Sequence, residues 1–135
     1  MVWNSIPSQL AKENKKFIYG LVREGGRAKE YEAAIMWLCD CGLVHKVSRV
    51  NAGSIPLKAY EDLKAFKLFL LDVGLLGCMT GLHQQTLLDG SHLFTEFKGA
   101  LTEQYVCQQL KTVEDLGVYY YTNDRGSCEV DFIVD

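Results

Sequence analysis

Between Arg27 and Val50 the spacing of apolar residues changes from one period to another across a single glycine. In "RAKEYEAAIMWLCDCGLV", Tyr31, Ala34, Ile35 and Leu38 recur at i, i+3, i+4 and i+7, the stripe of an amphipathic helix, and Gly42 stops it. Beyond Gly42, "LVHKVSRV" alternates at the two-residue period of a strand. A helix running straight into a strand sets the class as α+β, since each element must bury its apolar side against the other layer.

The rest of the first half fits around this pair. Ser5, Ile6 and Pro7 predict a helix start, with Ser5 as cap and proline in the first turn, and the helix runs to about Ala11. "KKFIYGLVREGG" predicts a second helix that closes on Gly25 and Gly26. "IPLKAYE" and "AFKLFLLD" read as two further strands. Three helices followed by a small antiparallel sheet form the pattern of a winged helix-turn-helix domain, over residues 3–75.

Residues 76–135 read as a second unit. A short helical piece near Gly74 to Leu82 leads into a polar loop through Asp89 and Gly90. A strong helix follows from about Leu93 to Lys111, then an aromatic strand "VYYYT", a turn at Asn123 to Gly126, and the closing strand "CEVDFIVD".

Composition narrows the function classes. With 48% hydrophobic residues and 2 Pro, the chain can build a real core and is not a linker-rich polymer. Residues 1–50 carry eight Lys or Arg against five acids, and residues 51–135 six against twelve, so the net charge of −3 averages two unlike halves. That excess in the front half falls short of a strong basic stripe for nucleic acid. The five cysteines contain no C-x-x-C pair and read as reduced thiols of a cytoplasmic protein. "FKLFLLDVGLLGCMTGL" is interrupted by Lys67 and Asp72 and is short for a bilayer crossing, so no membrane partner is expected. No G-x-x-x-x-G-K-[ST] and no H-E-x-x-H occurs, "GLLGCMTG" lacks phosphate-binding spacing, and His45, His83 and His92 are scattered.

Two groups of residues carry candidate chemistry. On a helical wheel Glu103 falls in an arc with Gly99, Ala100, Val106, Cys107 and Leu110, and a carboxylate there is either an acid at the core rim or a catalytic or metal-binding acid. In "EVDFIVD", Val130, Phe132 and Val134 point one way at strand period, while Glu129, Asp131 and Asp135 point the other. Such acids are either a solvated face or, under the Glu103 helix, a convergence of carboxylates whose repulsion calls for a divalent cation. Metal-assisted phosphodiester cleavage also uses a lysine, and none lies on this strand.

The second group lies on the exposed side of the "KEYEAAIMWLCD" helix. That side is acidic to apolar, the wrong character for a DNA groove, and points to a protein contact through Met36 and Trp37. Arg23, Arg27, Lys46 and Arg49 are candidates for phosphate contact from the start of that helix and from the wing.

Four blocks in order, "WNSIPSQLAKENKKFIYGLVREGGRAKEYEAAIMWLCDCGLVHKV", "IPLKAYEDLKAFKLFLLDVGLL", "FKGALTEQYVCQQL" and "EVDFIVD", resemble the C-terminal domain of unknown function of predicted prokaryotic AAA-type ATPases. The resemblance implies a winged-helix-like segment (3–75) followed by part of a PD-(D/E)XK nuclease-like core (76–135), that is, a restriction-endonuclease-like α/β core present as a helix plus hairpin. It also implies that the chain is a fragment. By it, Glu103 matches the acid of the first core helix and Asp131 the aspartate of the metal strand. ATP would bind only in the parent protein's N-terminal ATPase module, which is the implied partner beside an unknown protein or DNA, and Mg²⁺ only in the complete core. The expected role is a non-catalytic regulatory or interaction region. The alternatives are a metal-dependent nuclease half-site on Glu103 and Asp131, or a winged-helix DNA-binding module. The last strand, left without its neighbour, is expected to self-associate.

Overall fold

A computed structural model describes residues 1–12, 16–88, 95–123 and 127–135. In chain order the elements are α1 (Val2–Leu10), a 3-10 turn (Tyr19–Leu21), α2 (Ala28–Asp40), β1 (Val44–Val50), a second 3-10 turn (Leu57–Tyr60), β2 (Glu61–Leu70), α3 (Val73–Thr80), α4 (Gln84–Leu88), α5 (Thr95–Leu110), β3 (Val118–Thr122) and β4 (Glu129–Val134). The fold is mixed α+β. The expected loop at Asp89 and Gly90, the helix start near Leu93, His92 and turn residues 124–126 lie outside the described residues.

The strands form one sheet in the order β2-β1-β3-β4. β1 and β2 are antiparallel, β3 and β4 are antiparallel, and β1 runs parallel to β3. The pairs Ser48–Tyr119 to Val50–Tyr121 therefore join the strands of segment 3–75 to those of segment 76–135. The buried cluster is shared in the same way, with Ile6, Ile35 and Val47 in one packed body with Ala100, Cys107 and Tyr120.

The junction of α2 and β1 follows the periodicity, except that Ala34 of the expected stripe is exposed. Tyr31, Ile35 and Leu38 are buried on α2. Gly42 takes a left-handed φ of 74°, a conformation that strains residues with a side chain but not glycine, and Leu43 N–H reaches back to the Leu38 carbonyl at 3.1 Å.

Three local expectations are corrected. Ser5 is not a cap, because the helix already starts at Val2: the buried stripe Val2, Ile6, Leu10 sets its phase, Pro7 lies inside, and the Ser5 hydroxyl donates to the Val2 carbonyl at 2.8 Å. Of "KKFIYGLVREGG", the described part from Lys16 on is an extended segment and a 3-10 turn rather than a helix. Tertiary partners take its donors, Phe17 N–H binding the Phe66 carbonyl at 2.8 Å and Ile18 N–H the Gln9 Oε1 at 2.7 Å, and the Phe17 ring stacks on Phe66 at 5.6 Å. "IPLKAYE" contributes a 3-10 turn, and one ten-residue strand, β2, replaces the expected pair.

Two bulges shape the sheet. Ser48 faces Phe66 while Arg49 faces Asp62, so residues 63–65 are looped out of β2. Tyr119 faces Ile133 while Tyr121 faces Val130, so Tyr120 alone stands opposite both Asp131 and Phe132. Such a bulge turns two consecutive side chains toward one face and shifts all that come after. Phe132 accordingly shares the face of Glu129 and Asp131 and packs on Phe69 at 5.7 Å, a correction to the strict alternation of "EVDFIVD".

The edge strand β2 is closed by side-chain amides of α5. Gln104, fully buried, accepts from Leu70 N–H at 2.9 Å and donates to the Leu70 carbonyl at 2.7 Å. One turn later Gln108 accepts from Val73 N–H at 2.7 Å, at the start of α3. Buried backbone polar groups need partners, and these two side chains supply them.

Candidate functional site

Ala100, Glu103, Gln104 and Cys107 repeat at i, i+3, i+4 and i+7 on α5 and form its buried stripe. Gln104 is held by β2, so Glu103, one residue before it, is aimed across the sheet at the middle of β2.

Lys67 meets it there. Flanked by Phe66 and Leu68 and only 1% exposed, Lys67 points to the face opposite Phe66, as strand geometry requires. Its ammonium lies 2.7 Å from Glu129 Oε1, 3.6 Å from Glu103 Oε2 and 3.7 Å from Asp131 Oδ1. The Tyr120 ring closes another side, with its centroid 4.8 Å from Nζ. A buried ammonium is costly unless carboxylates surround it, and here α5 and β4 provide them. The cluster opens at the β4 side, where the side chains of Glu129 and Asp131 are 36% and 55% exposed. Burial pushes the Tyr120 hydroxyl up to about 12, with Arg49 opposing and Glu129 adding to the shift.

Glu103 and Asp131, the two acids singled out in the sequence, are therefore brought to one point together with Glu129. Sequence reasoning does not find Lys67 and Tyr120 as their neighbours, although Lys67 stands out as a break in an apolar run. The resemblance implies Mg²⁺ at these acids only in a complete core, and the residues present here do not fit it. An ammonium occupies the convergence point with the Tyr120 ring on one side of it, and among the described residues no group of three or more His, Cys, Asp or Glu is placed to hold a metal.

The basic residues are not gathered. Arg49 is paired with Asp62 at 2.6 Å, and Lys46, on the opposite face of β1, lies 4.7 Å over the Phe66 ring. Arg23 and Arg27 are exposed in the segment before α2.

On the outer side of α2, Met36 and Trp37 are 63% and 65% exposed. A groove of about 360 Å³ lies between this helix and β2, with buried Ile35 and Phe66 beneath and exposed Met36 and Leu63 at its walls. The looped-out residues of β2 put Leu63 there. Glu32 and Asp40, one turn to either side of Met36, also line it. Burial and then the Glu32 charge hold the nearby Tyr19 hydroxyl above its usual value.

A family model for a domain of unknown function, DUF8612, matches residues 1–86. The chain belongs to that family. No curated protein and no solved structure matches it, and none of these comparisons links it to an AAA-type ATPase or to a nuclease-like core. The DUF8612 match takes in Met36, Trp37 and Lys67, whereas Glu103, Glu129 and Asp131 lie past its end, so the ion cluster ties the matched part to the C-terminal third of the chain. Among the described residues no helix is long and apolar enough to cross a membrane.

Proposed function

We propose that this DUF8612 chain is a regulatory or interaction region, in the setting of the AAA-type ATPases its sequence resembles, and that it engages a protein partner through the outer side of α2. The observation that carries this reading is the exposure of Met36 and Trp37 beside an apolar groove, on a helix that buries Tyr31, Ile35 and Leu38 in the core. Exposed aromatic and methionine side chains next to a concave apolar surface are characteristic of helix-in-groove contacts, and methionine adapts to the shape it meets. The run α2, β1, β2, a helix followed by an antiparallel pair, is compatible with a winged-helix-like use of this segment. The scattering of Arg23, Arg27, Lys46 and Arg49 favours protein over DNA as the partner.

The test is calorimetric titration of the chain with a purified AAA-type ATPase module from the same protein group. Wild type should bind and change ATP turnover, and Met36→Asp/Trp37→Asp should do neither while keeping its circular dichroism and melting temperature. Equal binding by the double variant would sink the α2 assignment. Salt-sensitive binding of duplex DNA in place of the module would favour the DNA-binding reading.

A further inference from the structure

We infer that Lys67 is the resident cation of the Glu103, Glu129 and Asp131 cluster, a tethered ammonium that neutralises the acids from within and leaves no place for a divalent metal. This concerns the opposite face of the sheet from the α2 groove and does not depend on the partner proposed there.

The position of Lys67 is set by its neighbours. Phe66 and Leu68 are buried on one face, so strand alternation commits Lys67 to the other, beneath α5. At 1% exposure its ammonium has no solvent shell, and the carboxylates of three separate positions replace it at 2.7, 3.6 and 3.7 Å. The bulge in β4 is part of the device. By placing both Asp131 and Phe132 opposite Tyr120, it lets an acid reach Nζ while the adjacent ring packs on Phe69 and shields the same face.

The surroundings suit an ammonium and not Mg²⁺. An ammonium accepts an aromatic face as one neighbour, and Tyr120 presents one at 4.8 Å. Mg²⁺ requires near-octahedral oxygen ligands at about 2.0–2.1 Å and keeps several of its waters, which a ring face cannot replace. The acid-acid repulsion that reads in the sequence as a demand for a divalent cation is met by a side chain 36 to 64 residues away along the chain.

The experiment is Mn²⁺ and Mg²⁺ titration, by calorimetry and by thermal melting, of wild type, Lys67→Gln, Lys67→Arg, Asp131→Asn and Lys67→Gln/Asp131→Asn. Wild type and Lys67→Arg should show no saturable heat and no metal-dependent melting shift. Lys67→Gln should bind Mn²⁺ at least about tenfold more tightly than wild type and melt higher with metal, and the added Asp131→Asn should abolish both effects. A folded Lys67→Gln that gains no affinity would overturn the inference. So would wild type whose Mn²⁺ binding is lost in Asp131→Asn, and that arm decides the matter if Lys67→Gln does not fold.

Discussion

At Lys67, one side chain answers for the charges of two other elements, and its removal leaves three carboxylates facing one another under α5. Lys67→Ala should therefore cost about 3–5 kcal/mol in urea unfolding, the range for breaking a buried ion pair from one side. Glu129→Gln keeps a hydrogen-bond acceptor at a partly exposed position and should cost about 1 kcal/mol. His45 offers a pH-dependent counterpart. Burial, and next the charge of Lys111, hold its pKa below the ordinary 6.5. The folded state then resists a proton that the unfolded state takes up, so this contribution is present above pH 6.5 and is lost as pH falls. The drop in melting temperature between pH 7.5 and 5.5 should be smaller in His45→Gln, and an unchanged drop would remove His45 from the account. Glu103 is legible in the sequence as an acid in an apolar stripe, but its partner is not. A lysine between Phe66 and Leu68 looks the same locally whether it meets water or carboxylates, and only the sheet tells which.

Among the elements, α2, α5 and β3 follow from their periodicity because each buries one face, whereas β1 buries the adjacent Val47 and Ser48 and β4 has no buried residue. The segment 16–21 does not follow from periodicity, since the amide donors of Phe17 and Ile18 are claimed by Phe66 and Gln9, partners outside any short window around them. The register of β4 is hidden for a similar reason, because a bulge is set by the neighbouring strand and not by the bulged residues alone. Gln104 is the element-scale counterpart of Lys67. Gln104→Leu fills the space but strands the N–H and carbonyl of Leu70, and should lower stability by about 1–3 kcal/mol. It also uncovers the β2 edge, so light scattering should show more association than in wild type. On the other edge, β4 carries Glu129 and Asp131. We propose that these acids restrain its self-pairing, so that Asp131→Asn should raise the dimer fraction at equal concentration.

For the whole molecule, the DUF8612 match ends at residue 86 while the core does not. A chain cut to residues 1–86 loses the strand paired to the inner side of β1, the amide that closes Leu70 and every carboxylate around Lys67. Such a piece should lack a cooperative thermal transition and be cut rapidly by protease within β2, whereas residues 1–135 should melt as one unit. A sharp, reversible transition for 1–86 alone would show that the matched part is self-sufficient. The division near residue 75 rests on element order along the chain. The β1–β3 pairing that spans it is invisible there, because parallel partners so far apart in the chain leave no shared local pattern.

The two hydrogen bonds between Gln104 and Leu70 also limit how the molecule can move. A helix resting on a sheet through apolar contacts alone can roll about its long axis, trading one set of methyl groups for another. With both ends of one amide fastened to a single residue of β2, and Gln108 fastened to Val73 a turn later, α5 loses that freedom and is carried along wherever the strand goes. A push on β2 from the α2 side would reach the far layer as a shift in place, without a change in which face of α5 looks inward.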